Sequence, residues 1–442
     1  MNILLLMPDA LRSSQMHCCG YEKDTTPFID RLASEGVLFT QAISQSSHTY
    51  PGITSTYTGL YPFTHGIQGA RDYARVRESL ADDLRSRPGF EKWELPLQIL
   101  NRLGYQVIGK YGKDFCRPLG CFIDIRDLPP VPELLREYTS TRFFIMNMPY
   151  FTHVPYQAVP PYDALFLPRG YTITENLEQY QEVIRRKKWG RVYNPEKAST
   201  GYEVFEFERF EPFTFSADDR PGLVAWYDGA VRTFDAEVEA CVTRLEELGL
   251  LEDTLIIITS DHGEEILERG SLGHASCSLA GTLYEENIRI PLIFHYPKAL
   301  PGGRVIGTQV SQINIMPTLF DLLGLPVPPG TEGRSLLPLI NGEETEFEEE
   351  TYLEAPVCGW QAVPEDDGRM LWAMRTPQWK CIYNYDCKNM RGSFELYDLQ
   401  NDPHERKNLY GQNTGQSKAL EEKLMRKISS RIRSFQDQYS AV

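Results

Sequence analysis

The sequence predicts an α/β protein with one large domain on a largely parallel sheet and a smaller domain on an antiparallel one. Short continuous apolar runs, such as Asn2-Ile3-Leu4-Leu5-Leu6-Met7 and Leu255-Ile256-Ile257-Ile258-Thr259, suit strands buried on both faces. Helical stripes alternate with them. From Phe234 to Leu248, apolar Val238, Cys241, Val242, Leu245 and Leu248 recur at helical spacing, and Gly249 stops the run. Beyond Leu339 the pattern changes to short alternating segments at 370–374, 379–383 and 394–399, as antiparallel strands require. A chain of 442 residues can hold both units.

The first apolar run, 2–7, reads as a central strand, and Asp9 lies just past its end. In open parallel sheets ligands gather at strand carboxyl ends, so Asp9 is either a site residue or a surface-turn acid. Residues 26–36 form a helix with Pro27 near its start and Gly36 after its end. Val37-Leu38-Phe39 is the next strand, and it leads into a stretch rich in hydroxyls and small residues, Ser47 to Gly59. There Pro51-Gly52 stands where a loop would hand over to a helix. Pro is tolerated in a first turn, because the N–H it lacks is unpaired there anyway. Thr49 would then sit beside free backbone N–H groups and the positive end of the helix dipole, a place for an anion and a nucleophile. Read alone, the stretch is more readily an ordinary Ser/Thr-rich turn.

A helix over Leu95 to Leu103 ends at Gly104, and Tyr105 to Gly109 follow as a strand with Lys110 and Lys113 beyond it. Arg142 to Met148 form another buried strand, with His153-Val154-Pro155-Tyr156 past its end. Residues 156–222 are aromatic and Pro-rich and read as an insertion near the active site; the basic run at 185–188 reads as a solvated helix face. The strongest strand, 255–259, delivers Ser260-Asp261-His262-Gly263-Glu264-Glu265. Neighbouring Asp261 and His262 reach one metal only if the chain turns, and Gly263 allows that turn. Ile290 to Phe294 give a further strand and Ile315 to Leu323 a helix closed by Gly324. The large domain thus spans 1–340, and the small one 341–442, entered through acidic 343–350 and ending in a charged helix from Lys418 to Tyr439.

Composition narrows the function. A formal net charge of −16 argues against nucleic acid, although a metal can invert the field locally for a small anionic substrate. No apolar run of about 18 residues occurs, so no membrane span is expected. The amino-terminal run lacks a basic flank and a cleavage site. Nine scattered cysteines without zinc spacing read as reduced thiols, which with the missing export signal gives a cytoplasmic setting.

Asp9, Asp261, His262 and Thr49 together make a plausible single-metal site, with oxygen ligands and one imidazole suited to calcium, magnesium, manganese or zinc. Such a metal would polarise a tetrahedral anion and lower the pKa of the Thr49 hydroxyl.

The order of segments is then informative: NILLLMPDALR, TTPFIDRLASEGVLF, TYPGITSTYTGLYPFTHG, HVPY, TLIIITSDHGEE, GHAS, LYEENIRIPLIFHYP, GRSLLPLI and FELYDLQNDPHERKNL. Over nearly its whole length the chain resembles the sulfatase family of the alkaline phosphatase superfamily. The resemblance implies an alkaline-phosphatase-like doubly wound mixed sheet with helices on both faces, plus a small C-terminal α+β domain. It also implies ester hydrolysis through a covalent intermediate. Asp9, Asp261 and His262 match metal ligands, and Thr49 matches the nucleophile, whose oxygen also binds the metal. His153 matches a His that contacts the ester, and His274 falls where relatives place a cationic Lys or His. Lys113 corresponds to the Lys of a GYxTxxxGK segment, with Lys110 competing. His65 reads as structural; His17, His48, His295 and His404 read as structural or surface.

Three departures shape the expected chemistry. Sulfatases proper carry Cys or Ser in a Cys-x-Pro-Ser-Arg setting and convert it to formylglycine; here the setting is Thr49-Tyr50-Pro51-Gly52-Ile53. Ala10 replaces the usual second acid. For a second metal, the nearest Asp-x-x-x-His candidate is Asp228, but Arg232 follows it. One divalent cation is therefore expected: calcium, manganese or zinc, with magnesium admissible. A Thr alkoxide suits phosphorus, whereas a sulfated Thr would be hard to turn over. The expectation is a metal-dependent hydrolase of phosphate mono- or diesters, phosphonate esters included, acting on a small anionic ester. The alternative is a sulfuric ester hydrolase working without formylglycine. A phospho-headgroup transferase and an inactive binding relative are disfavoured, and homo-oligomer formation stays open.

Overall fold

The computed structural model describes residues 1–69, 76, 80–110, 129–154, 156–186, 215–275, 282–347, 350–356, 369–412 and 414–440. Lys113 and residues 187–214 of the expected insertion lie outside them.

The main sheet takes its strands from most of the chain. They are β1 (Asn2–Leu6), β2 (Val37–Ile43), β3 (Gln106–Lys110), β4 (Phe143–Asn147), β5 (Thr254–Ile258), and after the small hairpin of β6 (Glu265–Ile266) and β7 (Leu272–Gly273), β8 (Arg289–His295), β9 (Arg304–Ile306) and β10 (Val310–Ser311). Their order across the sheet is β10-β2-β8-β5-β1-β4-β3, with β9 beside β2. β1 lies centrally and runs parallel to both neighbours, Leu4 facing Ile145 on one side and Ile256 on the other. β8 runs antiparallel to both β5 and β2, which makes the sheet mixed. An isolated apolar run carries no direction, so only the resemblance foretold this.

Period-2 alternation divides β1 between two cores. Ile3 and Leu5 join Ile53, Tyr57, Leu97, Leu319 and Phe320 on one face. Leu4 and Leu6 join Ile29, Leu32, Val231, Phe234 and Val238 on the other. Each such side chain contributes about 1.5–3 kcal/mol through burial. The helix Pro27–Glu35 appears where expected. The long helix Arg220–Glu247 begins well before Phe234, through buried Gly222, Ala225, Gly229 and Ala230. These small residues pack closely without drawing an apolar stripe in the sequence.

The second sheet is antiparallel, in the order β11 (Thr351–Pro356), β12 (Arg369–Arg375), β13 (Trp379–Asp386), β14 (Arg391–Asp398). The sequence pattern marked the last three. β11 escaped because it starts directly after the acidic stretch. Leu420, Leu424, Ile428 and Ile432, spaced a helical turn apart on Thr414–Ser440, pack on Trp372 and Leu396 of this sheet. Among the described residues, no helix is long and apolar enough to cross a membrane.

Candidate active site

Three loops at strand carboxyl ends meet one helix start. β1 gives Asp9, β5 gives Asp261 and His262, and the chain after β2 gives Thr49 as the first residue of the helix Thr49–Thr58. Pro51 is in the first turn, as expected, though two positions further in. Thr49 Oγ1 stands 3.2 Å from His262 Nε2. His262 Nε2 is 3.6 Å from Asp9 Oδ1 and 3.3 Å from Asp261 Oδ2. The fold therefore brings these four residues, marked in the sequence, into one buried cluster.

The loop carrying Asp261 is firmly held. Its Oδ1 accepts from the backbone N–H groups of Ala10 at 3.0 Å and His262 at 2.9 Å. The Asp261 carbonyl accepts from Ser44 Oγ at 2.6 Å and Gln312 Nε2 at 3.1 Å. Ser260 Oγ donates to the carbonyl of Pro8 at 2.8 Å and accepts from the N–H of Leu11, also at 2.8 Å. Ser44, Ser260 and Gln312 went unmarked because hydroxyls and amides in loops carry no distinguishing pattern. Gly263 allows the turn: a Cβ on it would stand 2.0 Å from the carbonyl oxygen of Glu286. Ala10, at the position of the missing acid, has a left-handed φ of 64°.

The donor set fits a divalent cation. Asp9, Asp261 and His262 present ligand atoms within 4.8 Å of one another, all buried. Asp261 Oδ2 has no hydrogen-bond partner, although the residue is fully buried. Burial pushes the Asp261 carboxyl pKa up against the pull of His262 and the backbone N–H groups. A bound cation would offset that cost.

Two further imidazoles complete the cluster. The His274 ring centroid lies 4.3 Å from that of His262 and 4.8 Å from that of His153. His274 Nδ1 is 3.2 Å from each oxygen of Glu264, a buried carboxyl that the sequence reading quoted without assigning a role. Burial holds Glu264 well above the usual carboxylate range, and the charge of Asp9 adds to it, while Arg12 and the Val154 N–H oppose. The expected cationic His274 meets the reverse electrostatics. Burial first, and then His262, His153 and His48, hold its pKa well below the ordinary imidazole value. His274 thus stands beside His262 and His153, in surroundings that disfavour its charged form.

His48, expected to be structural or surface, is buried and caps the helix Thr49–Thr58 by accepting from the Tyr50 N–H at 3.4 Å. Burial and the fields of His262 and His153 lower its pKa to about 3. His65 is structural, as expected, with Nε2 3.1 Å from Ser55 Oγ. Burial lowers the pKa of Lys110, and the carboxylates that act on it are Glu237 and Glu133, neither in the cluster. Asp228 is held by Tyr21 Oη at 2.9 Å and Lys23 Nζ at 2.8 Å.

The family model for sulfatases matches residues 1–118 and 124–325. This chain belongs to the sulfatase family. A second model, N-sulphoglucosamine sulphohydrolase, C-terminal, matches residues 281–434 of this sulfatase-family chain. It is 25% identical to an ulvan-active sulfatase of Formosa agariphila, over 100% of the chain and 82% of the relative. In fold it is similar to a protein solved with its substrate D-glucosamine-2-N,6-O-disulfate, with a TM-score of 0.70, 20% identity and coverage of 99% and 98%. It is equally similar to the phosphonate monoester hydrolase of Agrobacterium radiobacter, with a TM-score of 0.68, 20% identity and coverage of 99% and 96%. The sulfatase-family assignment agrees with the motif order, and this family member is an ester hydrolase of the alkaline-phosphatase-like fold.

Proposed function

We propose that the protein hydrolyses phosphate or phosphonate esters with Thr49 as nucleophile. The observation that carries this is the Thr49 hydroxyl at the first residue of its helix, 3.2 Å from His262 Nε2 and amid the buried Asp9–Asp261–His262 group. An Oγ at that position attacks the ester from a fixed rotamer, with the helix N-terminus favouring the anion. A β-branched side chain also loses little freedom on being held there.

A divalent cation held by Asp9, Asp261, His262 and Thr49 would supply the charge that lowers the Thr49 hydroxyl pKa and offsets the anion. Asp261 is oriented for this by Ala10, His262, Ser44 and Gln312. His153 and His274 stand on the ester's side of the cluster, and Glu264 fixes the His274 ring. Attack of Thr49 Oγ1 on phosphorus breaks the ester P–O bond and the alcohol leaves with a proton; water then cleaves the Thr49 phosphoryl or phosphonyl ester, releasing phosphate or phosphonate and restoring the hydroxyl. The substrate is a small anionic ester on a sugar or aromatic body; the carbohydrate named for the structural relative with D-glucosamine-2-N,6-O-disulfate supports the sugar. Free Cys18, Cys19, Cys241, Cys381 and Cys387 support a reducing, cytoplasmic setting.

The named sulfatase among its relatives favours a second reading, sulfuric ester hydrolysis by Thr49 without formylglycine. Parallel assays on aryl phosphate, aryl phosphonate and aryl sulfate esters separate the two. Phosphorus esters are expected to turn over faster, and Thr49→Ala should abolish the activity. Preferred sulfate turnover reverses the order of the readings, and full activity in Thr49→Ala removes the nucleophile from both.

A further inference from the structure

We propose that a cavity of about 840 Å³ at the outer end of the β6–β7 hairpin binds an anionic saccharide, at a site separate from the Thr49 cluster. The saccharide class rests on the substrate reading given above; the anion rests on this cavity alone.

Among the described residues, none of the Thr49 cluster lines the cavity. The hairpin joins the two places. At its base Glu265 pairs with Gly273, next in sequence to Glu264 and His274, whereas Leu267, Glu268 and Arg269 at its tip line the cavity. The second domain supplies another part of the wall, through Tyr397 and the turn at 404–406.

The charge of the lining selects the ligand. Four guanidinium groups, those of Arg12, Arg220, Arg269 and Arg406, meet three carboxyls, in a chain whose formal net charge is −16. The carboxyls are largely occupied. Glu268 Oε1 takes Arg12 at 2.8 Å and Arg220 at 3.1 Å, and its Oε2 accepts from the Ile266 N–H at 2.5 Å. Glu286 Oε2 takes Arg269 at 2.9 Å, and Glu405 Oε1 takes the buried Lys380 at 2.5 Å. Arg406 is exposed and has no ion pair among the described residues. The Arg220 side chain is 44% exposed, and its Nη1 is likewise unbonded. Unspent guanidinium donors bind carboxylate, sulfate or phosphate groups through a bidentate fork.

A saccharide also needs acceptors for its hydroxyls, and Glu286 Oε1 has no partner among the described residues. The volume fits as well, since small-molecule sites span about 300–1,000 Å³ and a lone inorganic anion fills far less. Two wall residues hold backbone strain: Leu267 has a φ of 60° and Glu405 a φ of 52°, in the left-handed region that suits glycine. Only two other non-glycine residues among those described share it, and one is Ala10 beside the catalytic cluster. Strain of this kind gathers at ligand clamps.

The test is binding of a heparin-derived tetrasaccharide, which carries carboxylate and sulfate groups, to the full chain by calorimetry and hydrogen exchange. All proteins carry Thr49→Ala to stop turnover, so the catalytic cluster contributes equally throughout. Arg406→Gln and Arg220→Gln should each weaken binding by about tenfold or more. Arg391→Gln, at the start of β14 and six residues before Tyr397, should leave it unchanged. Exchange protection is expected at 267–271 and 404–406. Binding unaffected by both cavity variants, or protection absent from both segments, overturns the inference. So does an equal loss in Arg391→Gln, which would mark diffuse attraction. Neutral cellotetraose bound as tightly overturns the anionic class, and inorganic sulfate bound as tightly overturns the saccharide. Should one cavity variant fail to fold, the other decides. The proposed function stands or falls separately, on aryl ester turnover by the parent and Thr49→Ala, because no arm of this binding test reads turnover.

Discussion

Gly52 presses against the carbonyl of Asp261: a Cβ built on the glycine would stand 2.5 Å from that oxygen. The helix that starts at Thr49 and the loop that carries Asp261 thus touch backbone to backbone, three residues after Thr49. A side chain at position 52 would meet that contact directly. Gly52→Ala must push the helix and loop apart, because neither contacting atom belongs to a flexible side chain. It should destabilise the fold by about 1–3 kcal/mol and reduce kcat. Thermal unfolding and steady-state kinetics check this; an unchanged melting temperature would mean that the helix start shifts freely.

Thr49→Ser keeps the hydroxyl and loses only the methyl group. It should retain turnover within about tenfold, whereas Thr49→Ala should lose about 10³-fold or more. Circular dichroism of both variants should match the parent. Equal losses in the two would show that Thr49 acts through packing instead.

Asp235 governs a pH dependence remote from the site. Its Oδ1 accepts from the Ile29 N–H at 2.8 Å and its Oδ2 from the Phe28 N–H at 3.2 Å, so it caps the helix Pro27–Glu35 from another helix. Burial raises its pKa from 3.8 to about 6, against the pull of these N–H groups and Arg232. A carboxyl whose folded pKa is raised binds more protons folded than unfolded, so stability falls as pH rises between about 4 and 6. Above that window the contribution is flat. Asp235→Asn should flatten this part of the stability curve, measured by urea unfolding at pH 4, 5, 6 and 7. A slope identical to the parent's would assign the effect elsewhere.

Lys380 ties the second sheet to the main domain. It is fully buried, with Nζ 3.0 Å from Glu285 Oε1, 2.5 Å from Glu405 Oε1 and 2.9 Å from the Leu283 carbonyl. Lys380→Met strands the buried Glu405 carboxyl, while Glu285 keeps Arg375 at 2.9 Å on each oxygen, and should cost about 3–5 kcal/mol. Adding Glu405→Gln should recover part of the loss, so a double-mutant cycle in guanidinium unfolding checks the coupling. Strict additivity would refute it.

Much of the site was legible because strand ends carry their acids in sequence: an apolar run followed by Asp9, and another followed by Asp261-His262, have a fixed spatial meaning in a parallel sheet. Thr49 was readable for a similar reason, since Pro51-Gly52 announces a helix start. What escaped depends on contacts that no local pattern encodes. Glu264 behind His274, Gln312 under Asp261 and His48 as a helix cap come from segments distant in sequence or look like common loop residues. The burial of His274 among three other imidazoles, which lowers its pKa, is a tertiary fact that no local pattern shows. The reversed direction of β8 and the small-residue start of the helix Arg220–Glu247 are hidden likewise.

Ala10 holds its left-handed φ of 64° between two fixed partners, its N–H bonded to Asp261 Oδ1 and its carbonyl accepting from Tyr227 Oη at 2.7 Å. Alanine meets that geometry at a cost of about 1–2 kcal/mol, which aspartate and asparagine avoid in part. The loop therefore keeps a shape suited to the acid it lacks. A carboxylate is one substitution away: Ala10→Asp would relieve strain and add an oxygen beside Asp9. The donor set around Asp9 can therefore be enlarged without rebuilding the loop that carries it.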